Sequence, residues 1–156
     1  MSTINGLPAH ILLVHFIVVL APLTAILAIM CALWAAARRR LTWLVLALAI
    51  VTAILTPLTT DAGEWLDKRK ARSPVLHAHT QLGDTMAYFA VALVVAAALL
   101  AFIHVREIRG KSVKPAAQWT IAVLVIFTSL ATTVQVYRIG DSGAKATWGQ
   151  AASATP

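Results

Sequence analysis

The hydrophobic positions of this chain fall into four long, nearly uninterrupted runs that short polar stretches separate. The runs cover about residues 9–37, 41–60, 82–104 and 116–137. A run of about 20 apolar residues crosses the hydrocarbon core of a bilayer as a helix. The alternating segments of about ten residues that are typical of a membrane barrel are absent from the sequence. The pattern therefore predicts four transmembrane helices.

The composition supports this interpretation, since 60% of the 156 residues are hydrophobic and only 12% are charged. Ordinary globular chains carry roughly 45–50% apolar and about 25% charged residues. We therefore predict an all-α fold, an integral membrane four-helix transmembrane bundle that forms one domain over residues 1–156. Gly140 is a predicted helix stop, and residues 140–156 are predicted to form a tail.

The net charge of +7 is distributed as short clusters beside the apolar runs, at Arg38–Arg40, Lys68–Arg72 and Arg106–Lys114. Cations in these positions anchor helices in the headgroup region, which argues against nucleic-acid binding. The cations are divided almost evenly between the two membrane faces. Because no cation precedes the first run and Arg38–Arg40 directly follow it, we predict that both termini lie outside the cytoplasm.

An even number of spans brings most of the ionisable side chains to one face of the membrane. With four spans, the first and third helices begin where the second and fourth end. Four of the five histidines lie near these ends, and so do several carboxylates. The set comprises His10, His15, His77, His79, Asp61, Glu64 and Asp84. We expect a polar, His-rich pocket at this face, with His15 turned toward the bundle interior, as ionisable groups at membrane depth usually are.

Imidazole chemistry suggests what such a pocket binds. Neutral His is a common ligand of haem iron, copper and zinc. One His from each of two facing helices can clamp a b-type haem, and we predict His15 and His79 as primary ligands, with His10 or His77 in support. Alternatively, His15 and His79 hold copper or zinc together with Asp61 or Glu64. The sequence contains no metal motif of fixed spacing, and the single Cys31 excludes a c-type haem and a disulfide.

Other interpretations stay open. The same polar residues can serve as helix caps and interfacial groups. The chain can be a non-catalytic accessory or scaffold subunit of a larger membrane complex, which packs through the small residues Ala96–Ala98 and Ala101. It can also form a proton or solute pathway as an oligomer, through Asp61, Glu64 and the histidines. The pattern favours a role other than enzyme and designates no catalytic residue.

Three short stretches resemble a known family. They are Ala9-His10-Ile11-Leu12-Leu13-Val14-His15-Phe16, Thr60-Asp61-Ala62-Gly63-Glu64 and His79-Thr80-Gln81-Leu82-Gly83. They resemble the family of small bacterial four-helix membrane proteins known as domain of unknown function 2231, over about residues 5–145. The prolines that follow each histidine of the first motif in that family are Ile11 and Ile17 here. The resemblance implies a bacterial inner membrane protein and, because some members are joined to redox modules, electron transfer.

Overall fold

The computed structural model of the chain is a bundle of four long helices preceded by a short pair of strands. It describes residues 3–4, 7–67 and 74–152, with the side chains of residues 9–65 and 74–146. The elements are β1 (Thr3–Ile4), β2 (Leu7–Pro8), α1 (Ala9–Leu33), α2 (Ala35–Asp67), α3 (Pro74–Ile108) and α4 (Pro115–Ala152). The two-residue strands pair antiparallel. The predicted all-α four-helix membrane bundle is confirmed.

Each of the four helices is long and apolar enough to cross a membrane. They contain 25 to 38 residues, so their lengths are about 37 to 57 Å. The hydrocarbon layer is only about 30 Å thick. The helices therefore extend beyond it, and the polar groups near their ends lie at headgroup level.

The connection between α1 and α2 is shorter than the sequence predicts. Only Trp34 separates the two helices, and its N–H donates to the Met30 carbonyl at 2.9 Å. The cluster Arg38–Arg40, predicted as the connection, therefore belongs to the beginning of α2. This position could not be predicted from the sequence, because a cation triplet normally marks the end of a membrane span.

The ends of α3 and α4 follow ordinary capping rules. Both helices begin at a proline, whose fixed φ suits the first helical position. After α3, Gly110 has a φ of 66°, and its N–H donates to the Glu107 carbonyl while that of Lys111 donates to the Arg106 carbonyl. This pair of bonds is a Schellman motif, which needs a left-handed residue at the position of Gly110.

The helix α4 continues through Gly140, where the sequence predicted it to end, as far as Ala152. A Cβ on Gly140 meets no atom within 4 Å, so nothing there forces a turn. One turn later the Lys145 ammonium lies 2.7 Å from the Asp141 carboxylate, an i,i+4 pair that favours helix. The remaining tail residues 153–156 and the predicted basic connection Lys68–Arg72 lie outside the described residues.

Helices that follow one another in the chain pack side by side, and α4 closes the bundle against α1. Small residues allow the close approach, as is usual between membrane helices. The fully buried positions include Ala21, Ala28, Ala49 and Ala97, with larger side chains Leu93 and Leu100 between them. Gln135 of α4 adds a polar link, since its amide donates to the Thr85 hydroxyl of α3 at 2.7 Å.

Candidate functional site

A pocket of about 100 Å³ lies at the histidine end of the bundle, which we define as the end where α1 and α3 begin and α2 and α4 end. Side chains of all four helices line it. Its apolar floor is formed by Ile17, Met86 and Val136, which pack together as a separate core cluster. Its polar wall, nearer the ends of the helices, is formed by His10, Thr59, Thr60, Glu64, His79, Thr80 and Asp84. The space equals that of about three water molecules.

His10 extends from α1 across to α2. Its Nδ1 donates to the Thr59 carbonyl at 2.9 Å. The ring lies directly on Gly63, where an added Cβ would be 2.9 Å from His10 Nδ1 and 3.0 Å from Cε1. Because a carbonyl oxygen can only accept, Nδ1 carries the proton, and in the neutral ring the lone pair is on Nε2.

His79 makes the matching crossing from α3 to α4. Its Nδ1 lies 2.9 Å from the Ser142 hydroxyl oxygen, and that hydroxyl donates to the Ile139 carbonyl at 2.8 Å. Since the hydroxyl proton is used by Ile139, the His79 Nδ1–H donates to Ser142. An added Cβ on Gly143 would be 3.0 Å from His79 Cε1, so this ring also depends on a glycine beneath it.

The two imidazoles meet between the helices. Their ring centroids are 6.4 Å apart, and the ring planes are nearly perpendicular at 82°. Both rings are held through Nδ1 by an oxygen of the protein, which fixes the tautomer with a lone pair on Nε2. Imidazoles that ligate metals are held in this way by hydrogen bonds to their second nitrogen.

His15 does not join this pair. Its side chain is exposed on the outside of α1, and its Nδ1 bonds to the Ile11 carbonyl of its own helix. The prediction that His15 faces the bundle interior is wrong. A spacing of five residues turns the His15 side chain by about 140° from His10 about the helix axis, and the packing of α1 directs His10 inward.

The other candidate residues lie at or beyond the rim. His77 is exposed, and its Nε2 accepts from the Gln81 amide at 3.1 Å. Asp61 is exposed and does not line the pocket, whereas the exposed carboxylates of Glu64 and Asp84 do. The structure therefore brings His10, His79 and Glu64 to one pocket and leaves His15, His77 and Asp61 outside it.

Two site residues were not predicted from the sequence, Gly63 and Gly143. The motif Thr60–Glu64 contains Gly63, but only the position of His10 on another helix shows what that glycine permits. Gly83, which also lies in one of the three family stretches, one turn after His79, has no such role. A Cβ on Gly83 meets no atom within 4 Å, so no close approach depends on it.

The geometry tests both predicted kinds of cofactor. Among the described residues, no group of three or more His, Cys, Asp or Glu side chains is arranged to hold a metal ion. The pocket of about 100 Å³ is also smaller than the roughly 300–1,000 Å³ of typical cofactor sites. What the structure provides is a pair of oriented imidazoles beside two carboxylates.

Comparison with known proteins identifies the family. The family described as "Predicted membrane protein (DUF2231)" matches residues 6–156. The chain belongs to the DUF2231 family. No curated protein and no solved structure matches it. In this DUF2231 protein, the three stretches that carried the resemblance all contribute to the histidine end, through His10, Gly63 with Glu64, and His79.

Proposed function

We propose that this protein binds one transition-metal ion, most readily copper, between His10 and His79 at the histidine end of the bundle. The observation that carries the proposal is the pair of imidazoles, each fixed through Nδ1 so that the lone pair of the neutral ring is on Nε2. Copper binds nitrogen and oxygen ligand sets more tightly than the other divalent first-row metals do.

The spacing of the two rings supports this proposal. A metal ion held by two imidazole nitrogens at about 2 Å each places the ring centres roughly 5–6 Å apart. The centroid distance of 6.4 Å is within a few tenths of an ångström of that range. The ring separation is therefore compatible with one ion bound between the two imidazoles.

The charges around the pocket also favour a cation. The carboxylates of Glu64 and Asp84 lie at its rim, where either one, or water, can complete the coordination. The apolar floor of Ile17, Met86 and Val136 excludes water on one side and strengthens the electrostatic attraction. Imidazole ligands suit copper and zinc, and two histidines with a carboxylate and a water are a known ligand set of zinc.

Metal titration of the detergent-purified full chain tests the proposal. We expect one equivalent of copper to bind, and His10→Ala and His79→Ala to weaken its affinity by at least tenfold. His15→Ala and His77→Ala are matched controls, because both remove an exposed imidazole of the same two helices. Equal losses in all four variants, or no bound metal by mass spectrometry, would overturn the proposal.

An absorption spectrum of the same sample distinguishes a haem from a metal ion. A Soret band that shifts on reduction and is lost in His79→Ala would replace the metal proposal with a b-type haem. A colourless sample that binds no metal would instead support an accessory subunit. Electron transfer stays a prediction, which a potentiometric titration of the copper-loaded protein checks.

We also propose that both termini, and with them the histidine end, lie outside the cytoplasm. The first span has cations only on its far side. In a Cys31→Ser background, Ala144→Cys near the histidine end should react with a membrane-impermeant thiol reagent added to intact cells. Ser112→Cys, between α3 and α4, should react only after the cells are opened. The reverse pattern would contradict this orientation.

A further inference from the structure

The opposite end of the bundle, which we call the basic end, carries a concentration of exposed cations. Arg39 and Arg40 open α2, and Arg109, Lys111 and Lys114 lie between α3 and α4 or close to it; all five side chains are exposed. Among the described residues, Glu107 is the one acid at this end. The basic end is independent of the pocket, which lies at the far end of the same helices.

Glu107 does not neutralise these exposed cations, because Arg38 binds it. The Arg38 guanidinium donates from Nη2 to Oε1 at 2.6 Å and from Nε to Oε2 at 3.2 Å. Its Nη1 donates to the Cys31 carbonyl at 2.9 Å, and Arg38 is only 2% exposed. Among the described residues, the one carboxylate at this end is thus paired with a buried guanidinium, and the surface around it stays positive.

Two contacts between α2 and α3 bring together the chain segments that carry the exposed cations. The Arg38–Glu107 pair joins the start of α2 to the end of α3, and the rings of Trp43 and His104 make a second contact 6.1 Å apart between the same helices. The start of α2, which carries Arg39 and Arg40, therefore packs next to the end of α3, where the connection with Arg109 and Lys111 begins.

That connection is ordered and keeps its cations turned outward. Arg106 folds back over the Phe102 ring at 5.9 Å, and its Nη2 lies 3.4 Å from the Ser112 carbonyl. The Schellman turn at Gly110 fixes the direction of the chain after α3. The backbone that carries the exposed cations therefore has a defined conformation.

Three exposed tryptophans indicate the depth at which the basic end lies in the membrane. Trp34, Trp43 and Trp119 are 57%, 56% and 67% exposed, and all three lie at the basic end. Tryptophan is enriched at the boundary between lipid and water. The neighbouring guanidinium and ammonium groups are therefore at the level of the lipid phosphates.

We propose that the basic end binds the headgroup of an anionic phospholipid, between the start of α2 and the connection that follows α3. Arg39 and Arg40 can pair with the phosphate oxygens in the bidentate manner of guanidinium groups, while Lys111 and Lys114 supply point charges. The acyl chains then lie along exposed apolar side chains below, such as Leu44 of α2. This position selects a lipid over free phosphate, which lacks the apolar part.

Native mass spectrometry of the full chain in detergent tests this proposal, with phosphatidylglycerol and phosphatidylcholine of identical acyl chains as probes. Each Lys or Arg near an anionic lipid surface strengthens the attraction by about fivefold. We therefore expect the double variant Arg39→Gln, Arg40→Gln to bind phosphatidylglycerol roughly twentyfold more weakly, with phosphatidylcholine unaffected. The double variant Arg109→Gln, Lys111→Gln should show a comparable loss.

A control variant with the same loss of charge separates a local site from a general effect. Arg138→Gln combined with Lys145→Gln removes two exposed cations from the histidine end and should leave lipid affinity unchanged. Equal losses in the control and in the basic-end variants would overturn the proposal, as would equal affinity for the two lipids. Displacement of phosphatidylglycerol by millimolar inorganic phosphate would also contradict it, since the site would then be one for free anions.

Discussion

At the scale of single residues, the histidine site depends on two glycines as much as on the two imidazoles. His10 lies on Gly63 and His79 lies on Gly143, each so close that an added Cβ would force the imidazole to shift. In both cases the ring rests against the backbone of the next helix, which is how it reaches the space between the four helices. The imidazole positions are therefore set by the absence of a side chain opposite them.

A methyl group at one of these glycines should move the imidazole. In Gly63→Ala, the new Cβ would be 2.9 Å from His10 Nδ1, so the ring must turn away and the bond to the Thr59 carbonyl is strained. We expect copper affinity to fall about tenfold, the low end of losses seen when a bond that orients a ligand is disturbed. The matched control is Gly140→Ala, whose Cβ meets no atom within 4 Å. Unchanged copper affinity in Gly63→Ala would contradict this account.

Ser142 is a positioning residue for His79, since its hydroxyl oxygen accepts a hydrogen bond from Nδ1–H while its own proton is donated to the Ile139 carbonyl. In Ser142→Ala the ring loses the acceptor that fixes its tautomer. We expect copper to bind at least tenfold more weakly, while Ser142→Thr, which keeps the hydroxyl, recovers most of the affinity. Isothermal titration of the two variants checks this. Equal affinity in Ser142→Ala and the unaltered protein would show that Nδ1 needs no acceptor.

At the scale of helices, the sequence predicts the number and type of elements but not all of their ends. The four apolar runs indicate four helices because lipid permits few other backbone structures. The turn at Trp34 was not predictable, because Arg38 resembles the anchor of a span end. Arg38 can be buried because Glu107, 69 positions away in the chain, pairs with it. The prediction that the last helix ends at Gly140 was wrong because a glycine ends a helix only where a turn is otherwise favoured.

The end of α3 does follow the sequence rule, and it provides a stability prediction. Gly110 has a positive φ, and a side chain in that conformation costs about 1–2 kcal/mol. Gly110→Ala should therefore lower the free energy of unfolding by about that amount and reduce the melting temperature in detergent. Gly140→Ala lies inside a helix and should instead be neutral or stabilising by up to about 1 kcal/mol. Equal melting temperatures for the two variants would argue against the left-handed turn.

At the scale of the whole molecule, the chain places different polar groups at its two ends. The histidine end contains the pocket, and the basic end contains the Arg38–Glu107 pair and the exposed cations. The gathering of histidines at one face was predictable from helix parity alone. Which of them meet was not, because it depends on the rotation of each helix about its own axis. That rotation is set by packing, and it selected His10 rather than His15.

The Arg38–Glu107 pair should contribute to the stability of the whole bundle, since it joins α2 to α3 while Arg38 also holds the end of α1. Glu107→Gln leaves the buried guanidinium without a counter-charge, and breaking a buried pair costs roughly 3–5 kcal/mol. We expect the lower half of that range, because the Glu107 side chain is 31% exposed. Thermal unfolding in detergent measures the loss. The double variant Arg38→Met, Glu107→Leu should recover most of the melting temperature; a double variant less stable than Glu107→Gln would contradict this explanation.

The proposed metal site requires His10 and His79 to hold one ion together. Electron paramagnetic resonance of the protein loaded with one equivalent of Cu(II) tests it most directly, because nuclei of coordinated imidazoles couple to the unpaired electron. We predict coupling to two imidazoles in the unaltered protein and in His15→Ala, and to one in His10→Ala and in His79→Ala. A signal without imidazole coupling, or one that keeps two imidazoles after His10→Ala, would contradict the account.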